Sequence, residues 1–184
     1  ATEKASKTFF TAKESGVYSL KLALDSEDGG ASVNTKLDGN GNNALLNKTS
    51  TLSYALAAGD SLYITLNMGS KGTVTIEKEA SLREFKADEE VGLPVGTTWL
   101  KFVPQEDGEC TFAFDKTVKA LKTYTSTNVS DRKNPSQNLI ATELSCQKGS
   151  GVYFCIETEN PVKIKAEKSL ELEEYDLSWL GEYE

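Results

Sequence analysis

The chain has 184 residues, and its 28 acidic and 20 basic residues give a formal net charge of -8. The basic residues are scattered along the sequence, which argues against nucleic acid or an anionic membrane surface as the partner. Histidine is absent, which excludes Ser-His-Asp and Cys-His nucleophile systems and any His-ligated metal centre within this sequence.

The first clear pattern in the chain is alternation of apolar and polar residues. Apolar side chains recur at every second position over Tyr18–Leu24, and again over Leu62–Leu66 and Val74–Ile76. This period is typical of half-buried β-strands. Gly-rich or polar clusters separate the runs at short intervals, and no helical period is present. The sequence therefore predicts an all-β fold of antiparallel hairpins.

Between the first strands, the stretch LDGNGNNALL resembles part of a calcium loop. Asp38, Asn40 and Asn42 occupy positions 1, 3 and 5 of the pattern D-x-[DN]-x-[DN]-G, which surrounds the cation with oxygen ligands. Position 6 is Asn43 instead of Gly, and position 12 is Thr49 instead of a bidentate Glu. The sequence favours a turn here, with a calcium site at Asp38, Asn40 and Asn42 as the alternative.

The sequence also contains an internal duplication, in which three segments of the first half align without gaps on three segments of the second. We interpret the two copies as tandem antiparallel β-sandwich units with a jelly-roll-like strand order. Unit one covers residues 1–82, unit two covers 83–170, and 171–184 is a linker or the start of a further unit. The aligned segments are Thr8–Leu24 with Leu100–Lys116, Leu56–Leu66 with Cys146–Ile156, and Val74–Leu82 with Val162–Leu170.

Two aromatic residues of unit two are candidate ligand-binding residues. Trp99 follows the charged stretch LREFKADEEVG, which we expect to link the units, and it lies on the outward parity of its strand. An outward Trp can stack on a sugar ring, or it can be covered by the neighbouring unit; its place after the linker favours cover. Tyr124 begins the long loop TSTNVSDRKNPSQN and is the second candidate.

The three cysteines do not decide the redox compartment. Cys110, Cys146 and Cys155 form an odd set without the paired spacing of a zinc site. Strand parity predicts that Cys110 and Cys146 face the core of unit two, as small apolar residues or as one bridge, and that Cys155 faces outward.

Several stretches resemble the bacterial pre-peptidase C-terminal domains and related jelly-roll modules: FTAKESGVYSLKL, WLKFVPQEDGECTFAF, LAAGDSLYITL and GTVTIEKE. The resemblance implies an extracellular, non-catalytic accessory module of a bacterial secreted or surface protein. Relatives of this kind bind polysaccharide or protein, or act as spacers. The chain departs from the family outline at Cys110, where an aromatic residue is usual, and it has no acidic calcium-binding segment like that of the collagenase relatives.

These observations lead us to expect an accessory, adhesion or spacer module that is not an enzyme and needs no cofactor, calcium being the one candidate. Expected partners are a polysaccharide, an extracellular protein or neighbouring domains of the same chain, without nucleic acid or membrane insertion. One alternative is a carbohydrate-binding module with Trp99 or Tyr124 as its platform. A second is a fragment of a carboxylate-dependent hydrolase, although no spacing singles out a carboxylate pair.

The end of the sequence, SLELEEYDLSWLGEYE, repeats in outline the passage SLREFKADEEVGLPVGTTWLKF that follows unit one. Each passage begins with Ser-Leu, continues with charged residues and reaches a Trp-Leu pair. The likeness suggests a longer array in which each linker leads into the next unit, and a chance tail is the alternative.

Overall fold

The structure, a computed structural model, describes residues 7–25, 29–38, 43–47, 50–67, 69–130 and 134–168. These residues form strands and turns and contain no helix, which confirms the all-β prediction. The strands are β1 (Lys7–Thr11), β2 (Gly16–Leu24), β3 (Gly30–Asn34), β4 (Asn43–Asn47), β5 (Ser50–Leu56), β6 (Ser61–Leu66), β7 (Gly72–Phe85), β8 (Glu90–Leu93), β9 (Gly96–Phe102), β10 (Gly108–Tyr124), β11 (Ser136–Cys146), β12 (Val152–Thr158) and β13 (Val162–Lys168).

The strands form two sheets in a β-sandwich-like arrangement. The smaller sheet has the order β1-β6-β3-β4 and is antiparallel throughout. The larger sheet has the order β5-β2-β7-β9-β12-β10-β13-β8, with β11 paired to β10. Within it, β7 and β9 run parallel, and the other pairs are antiparallel. The larger sheet is therefore mixed, and its single parallel pair joins the strands of the first half to those of the second.

Each half of the chain has its own buried apolar cluster, because the alternating residues of its strands face one another. In unit one the cluster combines residues of the smaller sheet with residues of β2 and β5. Its buried members are Ala12, Tyr18, Leu20, Leu22, Ala31, Val33, Tyr54, Leu56, Leu62 and Ile64.

The cluster of unit two is richer in phenylalanine and draws on every strand from β7 to β13. Phe85, at the end of β7, contacts Phe102, Phe112 and Phe154, with ring centroids 5.3, 6.4 and 6.2 Å away. The other buried members are Val91, Leu93, Leu100, Phe114, Val118, Leu121, Cys146, Val152, Ile156, Val162, Ile164 and Ala166.

Strand registers repeat between the units as the aligned sequences do. The first strand of each copy pairs with the same partner at equivalent positions, and so does the second. The matching pairs are Phe10 with Leu62 and Phe102 with Val152, then Gly16 with Leu56 and Gly108 with Cys146.

The last strand of the repeat is aligned differently in sequence and in space. Sequence alignment equates Val74 with Val162, whereas the sheet pairs Val74 with Leu22 and Ile164 with Phe114. Since Leu22 and Phe114 are equivalent, the structural partner of Val74 is Ile164. A slip of two residues keeps the same side chains facing the core, so alternation alone does not reveal it.

One turn of the repeat explains why both copies keep a glycine. Gly59 and Gly149 have φ angles of +94° and +75°, in the region that glycine enters without steric cost. Their N–H groups donate to the carbonyl oxygens of Ala12 (2.8 Å) and Pro104 (2.9 Å). The two glycines therefore tie the hairpin of each unit to the turn after its first strand.

The proposed boundary between residues 82 and 83 falls within β7, which continues to Phe85. The charged stretch expected to act as a linker contains the end of β7 and most of β8. Phe85 and Val91 in this stretch are buried in the cluster of unit two. The strand therefore passes from one copy into the other, and the division into units stays a prediction. The segment 171–184 lies outside the described residues.

Candidate functional site: the junction between the repeats

A third apolar cluster lies where the two repeats meet, and we call it the junction cluster. It brings together β2 and β5 of unit one, the shared strand β7, and β10 and β12 of unit two. Its buried members are Val17, Ala55, Leu82, Tyr124, Val129 and Tyr153, and Ala80, Trp99 and Cys155 pack against them.

Both aromatic residues singled out in the sequence belong to this cluster. The rings of Trp99 and Tyr124 are stacked, with centroids 6.0 Å apart and an angle of 24° between their planes. Tyr124 is buried, whereas Trp99 is half-buried. The ring of Tyr124 covers one face of the Trp99 indole, so that face is turned toward the protein interior. Trp99 is therefore partly covered at the junction, and the rest of its side chain is exposed.

Residues 127–130 of the long loop in unit two pair with the edge of β5 in unit one, and we call this segment the clamp. Ala55 N–H donates to the carbonyl of Thr127 (2.8 Å), and Val129 N–H donates to the carbonyl of Ser53 (2.9 Å). Ser53 N–H also donates to Oγ of Ser130 (2.8 Å). The described part of the long loop after Tyr124 thus covers a sheet edge, where unpaired backbone groups would otherwise be exposed.

The second link between the repeats is the parallel pair of β7 and β9. Leu82 is opposite Trp99 and Phe85 is opposite Phe102 in this ladder. Lys101 Nζ lies 3.0 Å from Glu84 Oε2, which adds an ion pair on the outer face. A continuous strand, a parallel ladder and the clamp therefore connect the two copies at three places.

Burial raises the pKa of two titratable groups of the junction cluster. It raises the pKa of the Tyr153 hydroxyl to about 12, and the nearby carboxylates of Asp60 and Glu84 act in the same direction. Burial also raises the pKa of the Cys155 thiol. A nucleophile is activated when its pKa is lowered or a base stands beside it. The junction shifts the pKa values of Tyr153 and Cys155 in the opposite direction.

The calcium hypothesis meets the described structure only at Asp38. This residue is exposed and lines an open cleft with Thr35, Lys36, Leu37 and Tyr63. Asn40 and Asn42 lie outside the described residues. Within the described ranges, no group of three or more His, Cys, Asp or Glu side chains is arranged to hold a metal ion.

The cysteines are all free thiols. Cys146 is buried, and Cys110 is half-buried against the cluster of unit two. The pKa of the Cys146 thiol is raised to about 12, first by burial and then by its contact with Cys110. Cys155 lies on the other side of the sheet, as parity indicated, but there the junction cluster covers part of it.

The charged side chains lie mainly at the surface in pairs. Lys119 Nζ is 2.6 Å from Glu157 Oε1, and Lys163 Nζ is 2.6 Å from Glu90 Oε1. Each carboxylate raises the pKa of the lysine that donates to it. Exposed pairs of this kind contribute little to stability because water screens them. They cross-link neighbouring strands without forming an enclosed acidic site.

No protein-family model matches this chain, and no curated protein matches it. Among the described residues, no helix is long and apolar enough to cross a bilayer.

The clamp and the crossing of β7 are the features that the sequence did not reveal. The clamp contains one large apolar residue, Val129, so it shows no alternation. In β7, Leu82 and Phe85 are separated by Arg83 and Glu84, and the charged neighbours hide the strand. One signal in the sequence was the presence of two large apolar residues, Leu82 and Phe85, within the charged stretch. A solvated linker has no physical need for such residues, so they indicate a buried strand.

Proposed function

We propose that this chain is a non-catalytic accessory module of a bacterial surface or secreted protein, built as two tandem β-sandwich units that act as a spacer or in adhesion. The observation that carries the proposal is the junction. A flexible linker lets neighbouring domains move relative to each other, which is the usual expectation. Here a shared strand, a clamp and an apolar cluster take the place of a linker, and this suits a protein that holds a fixed distance or presents a surface.

The residual dipolar couplings of backbone amides test this proposal. A spacer with a fixed junction requires that the couplings of unit one and unit two fit one alignment tensor. Two different tensors, with a smaller order parameter for either unit, would contradict a rigid spacer. The variant Tyr124→Ala is the matched perturbation, because it removes the ring stacked on Trp99.

Carbohydrate binding is the second candidate, and the partial exposure of Trp99 favours it. One face of the indole is stacked on Tyr124, and the remaining exposed part is available to a sugar ring. A glycan array tests this candidate directly. Specific binding that is lost in Trp99→Ala and kept in Trp179→Ala would establish recognition through Trp99, and an array without signal would leave the spacer role as the better proposal.

A further inference from the structure

The first strands of the two units have different environments. In unit two, β9 pairs with β12 on one edge and with β7 on the other. In unit one, the equivalent strand β1 has one partner among the described residues, β6, and its other edge ends the smaller sheet. Leu100 of β9 is 0% exposed, while the equivalent Thr8 is exposed and Phe9 is 69% exposed. The outer edge of β1 is therefore the position that β7 fills in unit two.

The strand register identifies a segment of the chain that resembles the end of β7. Lys78 pairs with Tyr18, and the equivalent Lys168 pairs with Cys110. Four residues after these lysines the sequence reads LREF at 82–85 and LEEY at 172–175. Leucine is followed in both by Glu at the third position and an aromatic residue at the fourth. This match appears only in the structural register, because the sequence alignment was offset by two residues.

We propose that Leu172–Tyr175 of one copy of the chain adds to the free edge of β1 in a second copy, as a parallel strand. By equivalence with β7 and β9, Leu172 lies opposite Lys7 and Tyr175 lies opposite Phe10. Strand β7 begins in unit one and pairs with β9 of unit two. By equivalence, the segment after β13 pairs with β1 of another copy. This association, head to tail, does not depend on the proposed function.

Charge and packing both fit this occupant. The strand β1 reads KTFFT and carries no acid, whereas residues 171–176 read ELEEYD and carry four. Phe10 is half-buried, whereas the equivalent Phe102 is covered by Phe85. Tyr175 would cover part of the surface of Phe10 that is still exposed. Addition of a strand to an open edge is a recurrent mode of recognition, with backbone hydrogen bonds for affinity and side chains for register.

The association is expected to be weak, because unit one already fills the position of the Phe85 ring with a residue of its own. Tyr18, at the position of Cys110, packs against Phe10 with ring centroids 5.2 Å apart and an angle of 58° between the ring planes. The added strand therefore supplies edge pairing and partial cover without filling a core void. A four-residue ladder buries little surface, and small interfaces belong to transient complexes.

One position permits a test in which the association is strengthened. Phe9 of β1 is equivalent to Lys101 of β9, and Glu174 is equivalent to Glu84, which forms an ion pair with Lys101 at 3.0 Å. The substitution Phe9→Lys should create the missing pair and raise the association constant about twofold to fivefold, as exposed pairs do. Phe9→Glu should weaken it by a similar factor, and Glu174→Lys should restore it in that background. Phe9 is exposed, so the fold should tolerate both changes.

Sedimentation velocity of the full chain over a wide concentration range is the measurement. We expect open-ended association that grows with concentration, is lost in Tyr175→Asp and is kept in Tyr183→Asp, a control of the same chemistry in the same tail. A chain that stays monomeric at every concentration would overturn the proposal. Association that ignores both Tyr175→Asp and the charge at position 9 would overturn it as well, because another surface would then be responsible.

Discussion

The two repeats follow the same path with different numbers of strands. In unit two, β10 pairs with β13 near its start and with β12 near its end, and β11 accompanies it along most of its length. In unit one the same path is divided into β2 and β3, and its partner into β5 and β4. The residues that pair in β10 and β11 therefore have equivalents that pair in unit one, although the strands of unit one are interrupted. The fold of the repeat thus depends on the pairing register, and the repeat forms with or without a break in these two strands.

The two units also obtain their aromatic core residues differently. Unit two receives the Phe85 ring from β7, which begins in unit one. Unit one uses Tyr18 and Tyr54 from its own strands, at positions where unit two has Cys110 and Leu144. In unit two, the small side chain of Cys110 and the Phe85 ring from β7 fill the space together. In unit one, the larger side chain of Tyr18 fills a similar space, as close packing requires. The comparison teaches that unit two depends on its neighbour more than unit one does.

The largest expected effect tests this dependence directly. Replacing Phe85 by Ala should destabilise unit two by about 3 to 5 kcal/mol, because a buried ring is lost and a cavity is left. Urea unfolding followed by amide hydrogen exchange would report each unit separately. Unit two should lose protection first, while Phe9→Ala, at an exposed ring, should change stability by less than about 0.5 kcal/mol. Equal losses in both units would show that they form a single cooperative core.

A smaller effect should follow from loosening the clamp. Ser130→Ala leaves the Ser53 N–H without its partner at 2.8 Å, at a cost of about 1 to 2 kcal/mol. The loss should appear as uncoupling, with the unfolding of the two units becoming less coincident. Ser126→Ala is the control, because its hydroxyl donates within the same loop, to the carbonyl of Asn128. If both variants behave alike, the clamp does not couple the units.

Tyr54, which unit one has at the position of Leu144, is expected to lower the free energy of unfolding. Tyr54 is fully buried, and its hydroxyl has no hydrogen-bond partner among the described residues. Tyr54→Phe should therefore stabilise the protein by about 1 kcal/mol at neutral pH. The half-buried Tyr63 provides the control, Tyr63→Phe. Chemical denaturation of both variants measures the difference, and a loss of stability in Tyr54→Phe would contradict an unpaired hydroxyl.

The same substitution has a predictable pH dependence. Burial raises the pKa of Tyr54 to about 12, while an unfolded chain has a tyrosine pKa of about 10. Between about pH 10 and 12 the tyrosine of the unfolded state loses its proton while Tyr54 of the folded state keeps it. The free energy of unfolding of the parent is therefore unaffected by this group below about pH 10 and falls as the pH rises toward 12. Tyr54→Phe lacks this loss. Its stability advantage over the parent should therefore widen from pH 10 to 12.

The smallest expected effect concerns the loop that unit two does not share. Saturating calcium should shift the melting temperature of the chain by less than about one degree, because a stabilising ion needs a site already filled in the native state. Asp38→Ala should leave this result unchanged. A saturable rise that disappears in Asp38→Ala would establish the calcium site instead of the turn.

Much of the fold was predictable because alternation is a local property. The inward faces of Tyr18–Leu22 and of Phe112–Phe114 follow from period two, and both sets are buried. The junction was predictable only in part. Trp99 could be assigned to it from its place in the sequence, but its contact with Tyr124 depends on long-range pairing of β9, β10 and β12. No local pattern encodes which strands meet.

Because β7 passes from one repeat into the other, a repeat cut at its sequence boundary lacks residues that its own core needs. A duplication, deletion or domain swap cut at the sequence repeat boundary, after Leu82, would separate Leu82 from Tyr124, Val129 and Tyr153, the members of the junction cluster in unit two. A cut after Phe85 would also remove the ring at the centre of the next core. The segment that can be moved intact is therefore one repeat together with the end of the strand before it. An engineer who grafts unit two should carry the sequence from Ala80 onward.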